Sequence, residues 1–151
     1  MSPEVLVFAC NWNGWSCIET AADLGLTYPA SVKAVRVGCL SRIHAGLMIN
    51  AFELGADGVV LLGCEPGACQ FGSNGTHMSG EYEKARSILE MLGISPGRLA
   101  LLQLPAFAGR QFVEQIVRLS EQIARMPALK ASRVVVPAVT QDVRVESQAL
   151  T

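Results

Sequence analysis

Four apolar, β-rich runs alternate with four helical patterns along the chain, and this alternation restricts the fold more than any other feature. The runs are EVLVFAC (residues 4–10), VKAVRVGC (32–39), GVVLLGC (58–64) and RLALLQL (98–104). Most are apolar enough to be covered on both faces, as strands of a parallel sheet are when helices pack above and below. A chain of 151 residues is one domain by length, and it can bury a core without help from disulfides or metal. A metal in such a chain serves function, not folding.

The helical segments carry their own punctuation. Ser16 followed by Glu19 fits a capping box, which puts Cys17 at the first helical position and Gly25 just past the end. A second helix has Ser41 as its N-cap, Ile43, Leu47, Ala51 and Leu54 at helical spacing, and Gly55 as its stop. The third runs from Ser79 through Tyr82, Ala85, Leu89 and Leu92 to Gly93, and the fourth presents Phe112, Ile116, Leu119 and Ile123 on one face before Pro127. These stripes are core-packing faces.

The strand assignments place the five cysteines. Cys10, Cys39 and Cys64 each end a strand, and the carboxyl ends of parallel strands share one edge of the sheet. Cys17 and Cys69 follow within a short loop. Open α/β sheets bind ligands in the crevice outside those ends, so all five thiols can converge there. In CEPGAC (64–69), Pro66 and Gly67 suit the central positions of a type II turn, which would bring Cys64 and Cys69 round to one centre with N–H groups near their sulfurs. At a helix N-terminus, Cys17 should have a lowered pKa.

A single strand-end cysteine is ordinarily a small apolar filler. Five at one edge are not, since independent placement would scatter some elsewhere, and residues 70–151 contain none. Structural zinc favours paired C-x2-C knuckles in small domains that need the ion to fold, whereas four thiolates at the mouth of a stable fold suit an iron-sulfur cluster. His44 reads as an exposed or locally bonded residue and His77 as a solvated loop residue. Trp12 and Trp15 either shield the site from water or anchor a subunit interface.

Composition narrows the partners. With 12 basic and 13 acidic residues there is no basic patch, which argues against nucleic acid or an anionic membrane surface. No run reaches the roughly 18 apolar residues of a membrane span, and no leader precedes the first strand, so the expected location is cytoplasmic. Reduced thiols are the rule there, and an odd cysteine count does not make a disulfide framework. The 50% hydrophobic content against 17% charged suits a subunit that hides surface against partners. Two segments are candidate docking surfaces: QFGSNGTHMSG (70–80), read as a loop, and the tail 128–151, where Pro137 confines RVVVPAV to an edge strand or extended arm.

The sequence resembles the iron-sulfur (delta) subunit family of the methyl-viologen-reducing hydrogenases. The likeness is carried by CNW at Cys10, by Tyr28 and Pro29, by VRVGCLSRI around Cys39, and by GADGVVLLGCEPGAC from Gly55 to Cys69, and it covers roughly residues 4–126. One departure matters: where the family usually reads Cys-Asn-Trp-Cys, the second cysteine is Asn13 here, and Cys17 is the nearby thiol that competes or substitutes for it. Related subunits occur in large benzoyl-CoA reductase complexes.

The expected fold is a flavodoxin-like three-layer sandwich with a four-stranded parallel sheet over residues 1–127, followed by a partner-binding tail over 128–151; the resemblance agrees with the sandwich. It implies one [2Fe-2S] cluster on thiols drawn from Cys10, Cys17, Cys39, Cys64 and Cys69. It further implies an electron-transfer role between a heterodisulfide-reductase-like flavoprotein and a further oxidoreductase subunit in an anaerobic complex, with no catalytic site of its own. The rival is a zinc- or thiol-containing adaptor that carries no electrons. A nucleophilic Cys17 enzyme is disfavoured, because no Cys-His-Asp arrangement is evident and the chain has two histidines.

Overall fold

The chain folds as four parallel strands with two helices against each face, in a computed structural model that describes residues 2–71 and 76–129. The elements are β1 (Val5–Cys10), α1 (Asn13–Asp23), β2 (Val32–Val37), α2 (Ala45–Glu53), β3 (Gly58–Cys64), α3 (Thr76–Met91), β4 (Leu99–Leu104) and α4 (Gly109–Ala124). Short 3-10 turns at Leu40–Arg42 and Pro96–Arg98 precede α2 and β4. The tail expected to bind a partner lies, from residue 130 onward, outside the described residues.

Strand order is β2-β1-β3-β4, all parallel. Among the described residues this is the flavodoxin-like order of the first four strands. The chain leaves β1 to one side for β2 and returns to the other side for β3, so the connections diverge between β1 and β3. Alternation along the strands builds two cores. Val5, Val7, Ala9, Val60 and Leu62 pack with the buried faces of α1 and α4. Phe8, Cys10, Val59, Leu61 and Leu99 pack with α2 and α3. The central strand β3 is buried at every position up to Cys64, which explains its unbroken apolar run.

The helix stops are where the glycines put them. Gly25 has φ +66°, and the amides of Gly25 and Leu26 return to the carbonyls of Ala22 and Ala21, a Schellman ending. The same pair of bonds recurs at Gly55 and at Gly93.

The helix starts differ from expectation. α1 begins at Asn13, four residues before the expected Cys17, and Ser16 caps nothing: its hydroxyl donates to the Asn13 carbonyl and accepts from the Phe107 amide. The N-cap of α2 is His44, whose Nδ1 accepts from the Leu47 amide at 3.2 Å, and not Ser41. α3 starts at Thr76, so Ser79 is interior and His77 sits in the first helical turn, not in a loop. Each error has one cause. A Ser three residues before Glu, or at the head of an apolar stripe, satisfies a local rule, but which residue turns first is decided by packing against the sheet. The second strand also ends early, at Val37, leaving Cys39 two residues beyond it.

Candidate metal centre at the carboxyl edge of the sheet

Cys10 ends β1 and Cys64 ends β3, strands that pair in register from Val5↔Gly58 to Ala9↔Leu62. Their sulfurs stand 3.8 Å apart, with no disulfide between them. Cys39 lies on the other side of β1, at the head of the 3-10 turn Leu40–Arg42 with extended backbone (φ −153°, ψ 142°). Cys69 returns to the same place through the turn after β3: Gly67 has φ +81° and the Ala68 amide donates to the Glu65 carbonyl at 3.0 Å. This is the type II turn expected from Pro66 and Gly67. Cys10, Cys39, Cys64 and Cys69 together line one cavity, with Trp12 and Phe71 at its rim. Those two rings meet edge to face, centroids 6.4 Å apart.

Cys17 does not join them. It is fully buried in the second turn of α1, within the core on the opposite face of the sheet from Cys10, and its thiol donates to the Pro105 carbonyl at 3.4 Å. Burial raises its pKa, against a lowering hydrogen bond from the Ala108 backbone. The expected activation by a helix N-terminus is therefore corrected in direction as well as in place. The N-terminal amides of α1 instead serve the cavity: Gly14 donates to the Cys10 sulfur at 3.2 Å, and the Asn13 amide acts to lower the pKa of Cys64. Gly14 is needed for this approach, because a Cβ there would lie 2.3 Å from the Leu62 carbonyl oxygen. The Asn13 side chain points to the end of β4, where its Nδ2 donates to the Leu104 carbonyl.

The thiols differ electrostatically. Burial pushes Cys64 up to about 11, aided by the neighbouring Cys10 and Cys69 and only partly countered by the Asn13 amide. Burial also raises Cys39, but hydrogen bonds from the Ser41 hydroxyl and amide, a bond with Cys69 and the charge of Arg42 outweigh it and hold that thiol below its ordinary value. Ser41 was legible only as a helix cap. The signal that could have found it is Cys-x-Ser just past a strand end, where a short turn brings the hydroxyl back onto the sulfur.

Neither histidine lines the cavity, and Trp15 is on the other face, where Arg36 stacks over its ring at 5.1 Å. Among the described residues, no three His, Cys, Asp or Glu side chains are grouped to hold a single ion. The four thiols ring a space instead.

Residues 5–127 match the family model described as methyl-viologen-reducing hydrogenase, delta subunit. The chain belongs to that family. Among similar proteins, an iron-sulfur subunit of the F420-non-reducing hydrogenase of Archaeoglobus profundus is 30% identical over 131 residues, which cover 87% of this chain and 96% of that one. The corresponding iron-sulfur subunit of the vhc F420-non-reducing hydrogenase of Methanococcus voltae is 32% identical over 110 residues, 73% of this chain and 76% of its own. The delta-subunit domain is also similar to part of a much longer protein, a subunit of the ferredoxin:CoB-CoM heterodisulfide reductase of Methanosarcina mazei. That likeness is 26% identity over 121 residues, covering 80% of this chain but 15% of the relative. No helix among the described residues is long and apolar enough to cross a membrane.

Proposed function

We propose that this delta-family chain is an electron-transfer subunit carrying a [2Fe-2S] cluster on Cys10, Cys39, Cys64 and Cys69. The observation that carries the reading is the convergence of these four thiols, from three separate βα connections, on one cavity at the divergence of the sheet connections. The donor set fits: four cysteine sulfurs is the ligand count of such a cluster. An amide donor stands at Cys10 and a hydroxyl donor at Cys39, and the hydroxyl helps to hold Cys39 below its ordinary pKa, toward the thiolate form that iron requires. Bound there, the cluster would supply a one-electron store. The protein's own part is to hold the sulfurs, to exclude water with Trp12 and Phe71, and to place the site at a surface that a partner can reach.

The names of the relatives support oxidoreductase partners. Two relatives that align over most of their length are hydrogenase iron-sulfur subunits, and in the Methanosarcina protein a similar segment forms part of a longer heterodisulfide reductase chain. Domains joined in one chain commonly work together when separate. The chain is accordingly assigned a relay between a heterodisulfide-reductase-like flavoprotein and a further oxidoreductase subunit in an anaerobic cytoplasmic complex, with residues 1–127 as the redox domain and 128–151 as a docking tail.

Anaerobic purification with analysis of iron, sulfide and zinc, followed by electron paramagnetic resonance of the reduced protein, tests the assignment. About two iron and two sulfide per chain, the content of a [2Fe-2S] cluster, with a signal that appears on reduction, supports the relay. Stoichiometric zinc with no iron after reconstitution would overturn it in favour of an adaptor.

A further inference from the structure

The Ser41 hydroxyl points at the sulfur of Cys39, 3.1 Å away. The contact is built rather than incidental. The 3-10 turn that carries Ser41 is closed by bonds from the Arg42 amide to the Cys39 carbonyl and from the Ile43 amide to the Leu40 carbonyl. Leu40 is buried and lies so close against Gly63 of β3 that a Cβ on that glycine would be 2.5 Å from Leu40 Cδ1. Because His44 caps α2, the Ser41 hydroxyl is left to the thiol.

We propose that Ser41 is a positioning residue that raises the reduction potential of the site, by donating its hydroxyl proton to the sulfur of Cys39. The inference rests on the cluster assignment above. Reduction adds one electron and spreads negative charge onto the ligand sulfurs, so a donor that is already aimed at one of them stabilises the reduced state more than the oxidised one. Cys39 is only partly buried, yet the closed turn holds the donor in place without the entropy loss that a free surface serine would suffer. At Cys10 the corresponding donor is the Gly14 amide, which belongs to the backbone. At Cys39 a side-chain hydroxyl is added to the backbone amide, so the sequence can set the potential at this position without rebuilding the fold.

The test compares the full wild-type chain with Ser41→Ala, Ser41→Gly and Ser41→Thr, each purified without oxygen. Iron and sulfide are measured first, then the midpoint potential by titration followed by electron paramagnetic resonance. Expected are wild-type iron and sulfide in all four and a midpoint shifted downward in the alanine and glycine forms by about ten-fold in the reduction equilibrium, or about 59 mV for one electron. The threonine form, which keeps the hydroxyl, should titrate with the wild type. An exchangeable proton coupling beyond those of the backbone amides, seen by electron-nuclear double resonance in wild type and threonine forms and lost in the other two, would identify the donor directly. An unshifted potential in an iron-loaded alanine or glycine form overturns the role of Ser41 while leaving the cluster in place. Absence of iron and sulfide from wild type overturns the cluster assignment, and this inference with it.

Discussion

The sulfurs of Cys10 and Cys64 lie 3.8 Å apart although 54 positions separate them in the chain. Their strands are adjacent only because β3 crosses over β1 instead of adding beside β2. The site thus depends on strand order, and its four thiols come from three different βα connections.

If four thiols hold the iron, replacing any one of Cys10, Cys39, Cys64 or Cys69 by Ser should strip most of the iron and sulfide from anaerobically purified protein. Cys17→Ala should retain both. Loss of iron in the Cys17 variant, with its fold intact by circular dichroism, would put that residue back among the ligands.

Cys17 also has a pH signature. Its folded pKa is raised by burial, so above the ordinary thiol pKa the unfolded chain ionises while the folded one does not. The stability it contributes is complete below that value and declines as pH rises through it toward the folded pKa. Denaturant titrations should show this alkaline loss reduced in Cys17→Ala. Alkylation mapped by mass spectrometry should find Cys17 unreactive in the native protein and reactive in denaturant.

Gly14→Ala would force its Cβ against the Leu62 carbonyl, and α1 must move away from β3. Strain of this kind costs about 1–3 kcal/mol. The Gly14 amide then retreats from Cys10, so chemical denaturation should show the loss and iron retention in air should fall. Wild-type stability in this variant would mean that α1 is not held as closely as described.

Arg98 is buried at the opposite end of the sheet, where its guanidinium donates to the carbonyls of Asp57 and Pro127 and ties the end of the α4 segment to the start of β3. Arg98→Met keeps the volume but leaves the carbonyls of Asp57 and Pro127 without their charged donor. A loss of about 2–4 kcal/mol is expected from hydrogen bonds to a charged group, with iron content unchanged because the site lies at the other edge. Measuring both on the same preparation separates a stability residue from a site residue.

Much of the fold was legible because its signals are local. Unbroken apolar runs in β1 and β3 reflect burial on both faces, the glycines after α1, α2 and α3 supply the left-handed residue that a Schellman ending needs, and Pro66-Gly67 specifies its turn. Cys10, Cys39 and Cys64 could be placed for the same reason, since the end of a parallel strand is a position on an edge whatever the strand order, and the Pro66-Gly67 turn placed Cys69 beside them.

What the sequence determined by itself was therefore the set of elements and the edge on which the thiols gather. Only the tertiary structure decided which thiols share a cavity and which donors reach them. Helix α1 starts four residues earlier than its serine suggested, because docking on β3 at Gly14 outweighs a capping preference worth about 1 kcal/mol. That shift turns Cys17 into the opposite core layer, brings the Asn13 and Gly14 amides to Cys64 and Cys10, and, with the cap of α2 moved to His44, leaves Ser41 to Cys39.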